Sequence, residues 1–188
     1  MKFKILWLII FVLSSCSDSV ENNNNNNTQT NNTNNTSTTN NTNTTTEPPG
    51  EVHFSLTTST VHGRFAPSST SALWIMTPDG EFVRTVYLSG YHYDYYLHDW
   101  RSESDENTVD AVTTATRHGH GTIEAVWDMR DYNKNTVTGN SWIVRFEMTE
   151  DNFAGPDYSL NLDLDASPLT ITETFDYVNP FIIEYIPF

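Results

Sequence analysis

From residue 51 onward the chain alternates apolar and polar positions with a period of two. Val52, Phe54 and Leu56 interleave with His53, Ser55 and Thr57, and Trp142, Val144, Phe146 and Met148 interleave with Ile143, Arg145 and Glu147. Tyr158, Leu160, Leu162 and Leu164 interleave with Ser159, Asn161, Asp163 and Asp165. A two-residue period puts alternate side chains on opposite faces, so these segments read as half-buried strands. Ala72–Met76 is apolar throughout and reads as a central strand, which Thr77-Pro78-Asp79-Gly80 turns into a second strand over 81–88. Further strands are expected at 122–127, near 169–174 and at 181–186. Seven or eight short strands separated by turn residues predict an all-β fold, an immunoglobulin-like antiparallel β-sandwich with one short helix.

The helix is expected where the period changes. Tyr93, Tyr96, Leu97 and Trp100 are spaced i, i+3, i+4, i+7, which places them on one face of about two turns over an open end of the sandwich. The aromatic density between Tyr87 and Trp100 has two readings: cover for the core, or a platform on which sugar or flavin rings stack.

Residues 1–50 have a different character. Lys2 and Lys4 precede nine apolar residues, Ile5–Leu13, and then Leu13-Ser14-Ser15-Cys16. Nine residues fall well short of the roughly 20 that span a bilayer, so residues 1–15 read as a secretory signal. Residues 22–46 are all Asn, Thr, Gln or Ser, a composition without the apolar surface needed to offset ordering. Residues 16–50 are therefore expected to form a disordered tether, whose 25 Asn/Thr-rich residues would span roughly 25–30 Å. The organisation expected is signal 1–15, Cys16 and tether 16–50, and one domain 51–188.

Charge and cysteine count narrow the classes. With the two leader lysines set aside, 24 acids face seven bases, a net charge of about −17, which argues against nucleic acid and against adsorption to anionic lipid. Cys16 is the single cysteine, so no disulfide framework or thiolate metal site is available. Asp131-Tyr132-Asn133-Lys134-Asn135 begins like a calcium loop, but Thr136 and Trp142 stand where such a loop needs Gly and a bidentate Glu. Asp128 and Asp131 are instead expected to hydrogen-bond their own loop backbone. His118-Gly119-His120 lacks the further ligands of a zinc or copper site and reads as solvent-exposed loop histidines. With no Gly-x-Ser-x-Gly and no phosphate loop, an enzyme is not expected.

The stretch 109–127, VDAVTTATRHGHGTIEAVW, reads as a small, turn-prone, exposed loop running into an apolar strand, and is the candidate site.

Several motifs resemble known families. Leu13-Ser14-Ser15-Cys16 resembles the lipobox of bacterial lipoproteins, which implies lipidation of Cys16 and a membrane anchor without a spanning helix; Ser17, with Asp18 and Glu21 nearby, is compatible with sorting to the outer membrane, on its periplasmic or surface face. Phe54 to Thr57, the Gly63-Arg64-Phe65-Ala66-Pro67 turn, Ala72-Leu73-Trp74-Ile75, Gly80-Glu81-Phe82-Val83-Arg84-Thr85, Val109-Asp110-Ala111-Val112-Thr113 with Ala115-Thr116, and Trp127-Asp128 resemble, in order, domain of unknown function family 2271, a set of predicted periplasmic proteins. Trp127, Asp128, Asp131 and Val137 are similar to the immunoglobulin-like module of flagellar hook-capping proteins, although Met129, Lys134, Asn140 and Trp142 replace its Gly, Gly, Gly and Tyr. Gly139 and Asn140 are expected to share one turn, and Met129 and Lys134 to mark a reshaped loop.

Asp110-Ala111-Val112-Thr113-Thr114-Ala115-Thr116 resembles the acceptor sequence at which extracytosolic flavin transferases attach FMN through a phosphoester. The resemblance implies Thr116 as the attachment residue, with Asp110, Thr113 and Ala115 as recognition positions. Thr114 departs from the motif, standing where it has glycine. Two functional classes follow: a lipid-anchored covalent FMN carrier exchanging electrons with envelope redox proteins, and a cofactor-free binding or scaffolding module of the cell envelope.

Overall fold

The computed structural model describes residues 49–188; the expected signal, Cys16 and nearly all of the tether lie outside the described residues. Nine strands form two sheets. In chain order they are β1 (Gly50–Thr58), β2 (Thr70–Met76), β3 (Phe82–Ser89), β4 (Val112–Thr114), β5 (Thr122–Trp127), β6 (Ser141–Thr149), β7 (Asp157–Asp163), β8 (Leu169–Phe175) and β9 (Val178–Pro187). One sheet has the order β5-β1-β9-β8 and the other β4-β3-β2-β6-β7. The molecule is an all-β sandwich of immunoglobulin-like type with one α-helix, as the alternation predicts.

The two-residue period sets which side chains meet between the sheets. Val52, Phe54 and Leu56 from β1 face Val144, Phe146 and Met148 from β6 across the main core, where Trp127 and Trp142 meet edge to face at 5.3 Å. The β2–β3 turn forms as expected. Thr77 accepts the Gly80 N–H at 3.0 Å, and Gly80 takes φ +87°, which only glycine adopts without strain.

Two expectations need correction. The five-stranded sheet is mixed, because β4 runs parallel to β3, with Tyr87 opposite Val112 and Ser89 opposite Thr114. Residues 112–114 are thus an edge strand within what reads in sequence as loop. A three-residue strand is too short to show a period, and Val112-Thr113-Thr114 is exposed at each position, so no alternation marks it.

The helix also sits elsewhere. A 3₁₀ turn (Asp94–Tyr96) leads into α1 (His98–Ser104), which lies on the outer face of the five-stranded sheet rather than over an open end of the sandwich. Leu97 and Trp100 pack there against Ala72, Trp74 and Leu88, whose side chains alternate away from the main core, so β2 is buried on both faces. This second core explains why Ala72–Met76 is apolar throughout.

Polar groups secure the helix. Arg145 lies over the Trp74 ring at 5.4 Å and reaches Asp99, Glu103 and Asp157 at 3.3, 3.4 and 3.5 Å, while Trp74 Nε1 donates to Glu103 at 2.8 Å. Leu97, at the N-cap position, has no side-chain oxygen to cap the helix. The buried Glu147 of β6 does so from across the interface, accepting from His98 N at 2.9 Å and Trp100 N at 3.0 Å. Burial pushes the Glu147 carboxyl up to about 7, against these N–H bonds, and the nearby Asp99 charge adds to the rise.

Candidate functional site

The candidate stretch runs along one edge of the molecule, from one pole to the other. Asp110 lies at the pole where β1 begins; it has φ +56°, sits 3.2 Å from Lys134 Nζ, and its carbonyl accepts from Arg84 at 3.2 Å. Arg84 also binds Asp128 at 3.0 Å, next to Trp127, the partner of Val52 near the start of β1. From Asp110 the chain follows β4 to Thr116, a separation of up to about 20 Å for six extended residues. The structure therefore brings Thr113, Ala115 and Thr116 together but leaves Asp110 apart, in an ion network at the opposite end.

Thr116 belongs to the far pole, where β1, β3 and β6 end. Backbone bonds fix it there: Gly90 N donates to Thr114 O at 3.0 Å, and Ser69 and Arg117 exchange a pair of bonds at 2.9 and 3.1 Å. Gly90 has φ +75°, and a Cβ on it would press on Thr70 and reach within 3.4 Å of Thr116 Oγ1, so a side chain here would strain the turn and crowd the hydroxyl. Thr114 lies in extended backbone, where a β-branched residue is at ease, so the missing glycine of the acceptor motif imposes no local strain.

Thr116 and His118 form the wall shared by two adjoining depressions, of about 340 and 460 Å³. Phe65, Tyr93 and Tyr96 line the first, with Ser68, Asp151 and Asn152; Tyr91, His92 and Thr113–Thr116 line the second. Together they make an open groove with aromatic walls. Among the described residues, the side chains of Ser68, Thr116, His118 and Asn152 make no internal hydrogen bond and remain available to a ligand.

No match is found to any family profile, curated protein or solved structure.

The groove's floor rests on an element that the sequence conceals. Glu150, just past β6, is buried and accepts from Thr60 Oγ1 at 2.9 Å, Val61 N at 3.0 Å and Gly63 N at 3.0 Å through one oxygen. Its other oxygen meets His120 Nε2 at 2.5 Å, and His120 Nδ1 lies 3.2 Å from Thr58 Oγ1. Burial by itself would raise the Glu150 pKa, but the bonds from His120, Gly63 and Thr60 outweigh it and hold the carboxyl below its ordinary value. Asp151 Oδ1 adds a bond from Arg64 N at 3.1 Å. These two acids pin the 60–65 segment, and with it Phe65, against the groove.

His120 is thus not a solvent-exposed loop histidine. Its side chain is 13% exposed and joins the end of β1 in one sheet to the end of β6 in the other. His118 does remain exposed and borders the groove. Among the described residues, no three His, Cys, Asp or Glu side chains come together as metal ligands would.

The aspartate loop behaves as its spacing suggests. Asp131 Oδ1 accepts from Asn133 N at 2.8 Å and Asn135 N at 2.9 Å, and Asp128 Oδ1 accepts from Arg130 N at 3.2 Å. Met129 and Lys134, at positions where the similar module has glycine, take left-handed φ of 53° and 68°, and Gly139 takes the positive φ of its turn.

Proposed function

We propose that this chain is an extracytosolic lipoprotein, anchored through Cys16, whose sandwich binds a ligand in the groove at Thr116. The observation that carries this is the groove's position. β1 starts at Gly50 and ends at Thr58, about 25–30 Å away, beside the His120–Glu150 pair beneath the groove. A tether joined at Pro49 would thus enter the domain at the pole opposite the groove and leave the groove clear of its own attachment point. The lipobox-like Leu13-Ser14-Ser15-Cys16 and the polar run 22–46 supply the anchor and the reach.

Two measurements test this reading. Wild-type protein should fractionate with membranes, and Cys16→Ser should be soluble. In intact envelopes Tyr91 and Tyr93 should resist nitration by tetranitromethane, whereas the purified protein should be nitrated at both; equal nitration in the two settings would contradict an occupied groove.

A second reading, a covalent FMN carrier, is favoured by one observation. The Thr116 hydroxyl is unbonded within the protein, on a groove wall beside Tyr91 and Tyr93, and it follows the exposed Thr113–Ala115 edge that a flavin transferase would need to reach. The separation of Asp110 from Thr116 weighs against a single recognition surface. Co-production with a flavin transferase should then give a fluorescent band that survives denaturation and is lost in Thr116→Ala. Absence of that band, with a transferase active on another acceptor, would leave the cofactor-free binding module.

A further inference from the structure

We propose that the groove takes a neutral carbohydrate chain, bound by ring stacking at its rim and by hydroxyl, imidazole and amide groups along its walls; this rests on the reading that the groove is a ligand site. Three observations converge on that class.

The first is the distribution of aromatic surface. Phe65, Tyr91, Tyr93, Tyr95 and Phe153 are each between 43% and 60% exposed; all lie in loops or the 3₁₀ turn at the pole that carries the groove, and Phe65, Tyr91 and Tyr93 line it. Burial in the core accounts for Trp74, Trp100, Phe146 and Phe181, which are fully covered. These five rings therefore add nothing to the fold that their exposure would explain. Aromatic faces left open at one end of a strongly polar domain suit ligands that present flat apolar faces together with polar edges, as pyranose rings do.

The second is the chemistry of the free groups. Ser68, Thr116, His118 and Asn152 offer hydroxyl, imidazole and amide groups without internal partners, a set able both to donate to and accept from sugar hydroxyls. The third is charge. Neither depression is lined by a lysine or arginine, and the nearby Arg64 guanidinium is set over the Phe65 ring, 5.5 Å from its centroid, so a phosphate or other anion finds no cation among the lining groups. A cation fares little better: Glu150, the buried carboxylate at the floor, has both oxygens occupied by Thr60, Val61, Gly63 and His120, and Asp151, the other acid of the lining, is held through Oδ1 by the Arg64 N–H. A neutral ligand remains. Two adjoining depressions with a shared wall suit a chain of more than one ring rather than a single enclosed sugar.

The test uses the full-length protein in detergent. It is run through native gels cast with soluble β-glucan, xylan, galactomannan or starch, and its intrinsic fluorescence is titrated with the matching hexasaccharides and, separately, with spermine. At least one polysaccharide should retard the wild type. Tyr91→Ala and Tyr93→Ala should each weaken binding by about tenfold, and Asn152→Ala by a smaller factor, while Phe188→Ala, an exposed aromatic beside Pro49, should leave it unchanged. Tyr91 and Tyr93 are half exposed or more, so wild-type circular dichroism is expected of both variants.

If spermine binds in a Tyr93-dependent way and no polysaccharide does, the groove reading stands and the carbohydrate class is overturned. Retardation that persists in a Tyr91→Ala, Tyr93→Ala double variant would place any sugar elsewhere and overturn the assignment to this groove. No response to any of these probes would overturn both.

Discussion

Removing the Glu147 side chain should cost more than any single hydrogen bond, because this carboxylate caps α1 from a strand that is 47 residues distant from Trp100 in sequence. In Glu147→Ala, the buried N–H of Trp100 and the partly buried N–H of His98 would both lose their acceptor. The Trp100 N–H, left buried and unsatisfied, costs about 1–3 kcal/mol, and the His98 N–H, which water partly reaches, adds less. The dehydration that pushes Glu147 up to about 7 would be relieved at the same time and would offset part of this, leaving a net loss of about 1–3 kcal/mol. For a domain of this size that is a fall in Tm of roughly 4–12 °C.

The pH dependence follows from the direction of the shift. A carboxyl raised from 4.5 to about 7 on folding contributes stability that is fully present below pH 4.5 and is lost as pH rises through about 7. Wild type and Glu147→Ala should therefore differ more at pH 5 than at pH 8. Urea unfolding of the Cys16→Ser chain, followed by tryptophan fluorescence, measures both. Equal stabilities at pH 5, or a difference that widens towards pH 8, would refute the assignment of Glu147 as the helix cap.

Two other substitutions probe separate parts of the fold. Trp74→Ala should cost on the order of 3–5 kcal/mol in the same assay, since the ring is fully buried beneath α1 and carries both the Arg145 contact and the bond to Glu103. His120→Ala should cost about 1–3 kcal/mol by leaving one oxygen of Glu150 buried without its partner, and should speed amide exchange in residues 60–65. Because Glu150 is held below its ordinary pKa, its contribution is present above about pH 4.5 in wild type and is lost as pH falls through its folded value; in His120→Ala that loss should begin at higher pH.

The strands were legible because one face of each must be apolar: Val52-Phe54-Leu56 and Trp142-Val144-Phe146-Met148 declare a period of two that the inner faces of the sheets impose. Trp74 and Trp100 were legible as buried, but not where. Nothing in a run of apolar residues says whether a strand has a second sheet or a helix on its far side. The parallel pairing of β4 was hidden because three residues carry no period and a long connection, 90–111, separates it from β3.

At the site, Thr113, Ala115 and Thr116 were singled out by their resemblance to a flavin-acceptor sequence, and they do border a groove. Its other wall was half visible in the Tyr91–Tyr96 cluster. The His120–Glu150 pair was not visible at all. No periodicity or motif marks Glu150, and only the folded chain brings its carboxylate to a histidine 30 residues earlier. Asp110 shows the converse, since a linear motif keeps Asp110 and Thr116 six residues apart while an extended edge strand carries them to opposite poles.

The most direct test of a ligand groove at the far pole is hydrogen exchange on the protein taken from its native envelope, compared with the same protein after unfolding, washing and refolding. Amides of 90–96 and 114–118 should exchange more slowly in the native preparation. Those of 109–111 and of the 128–134 loop, at the other pole, should be unchanged. Identical exchange at the groove in both preparations, or protection confined to the 128–134 loop, would contradict the account.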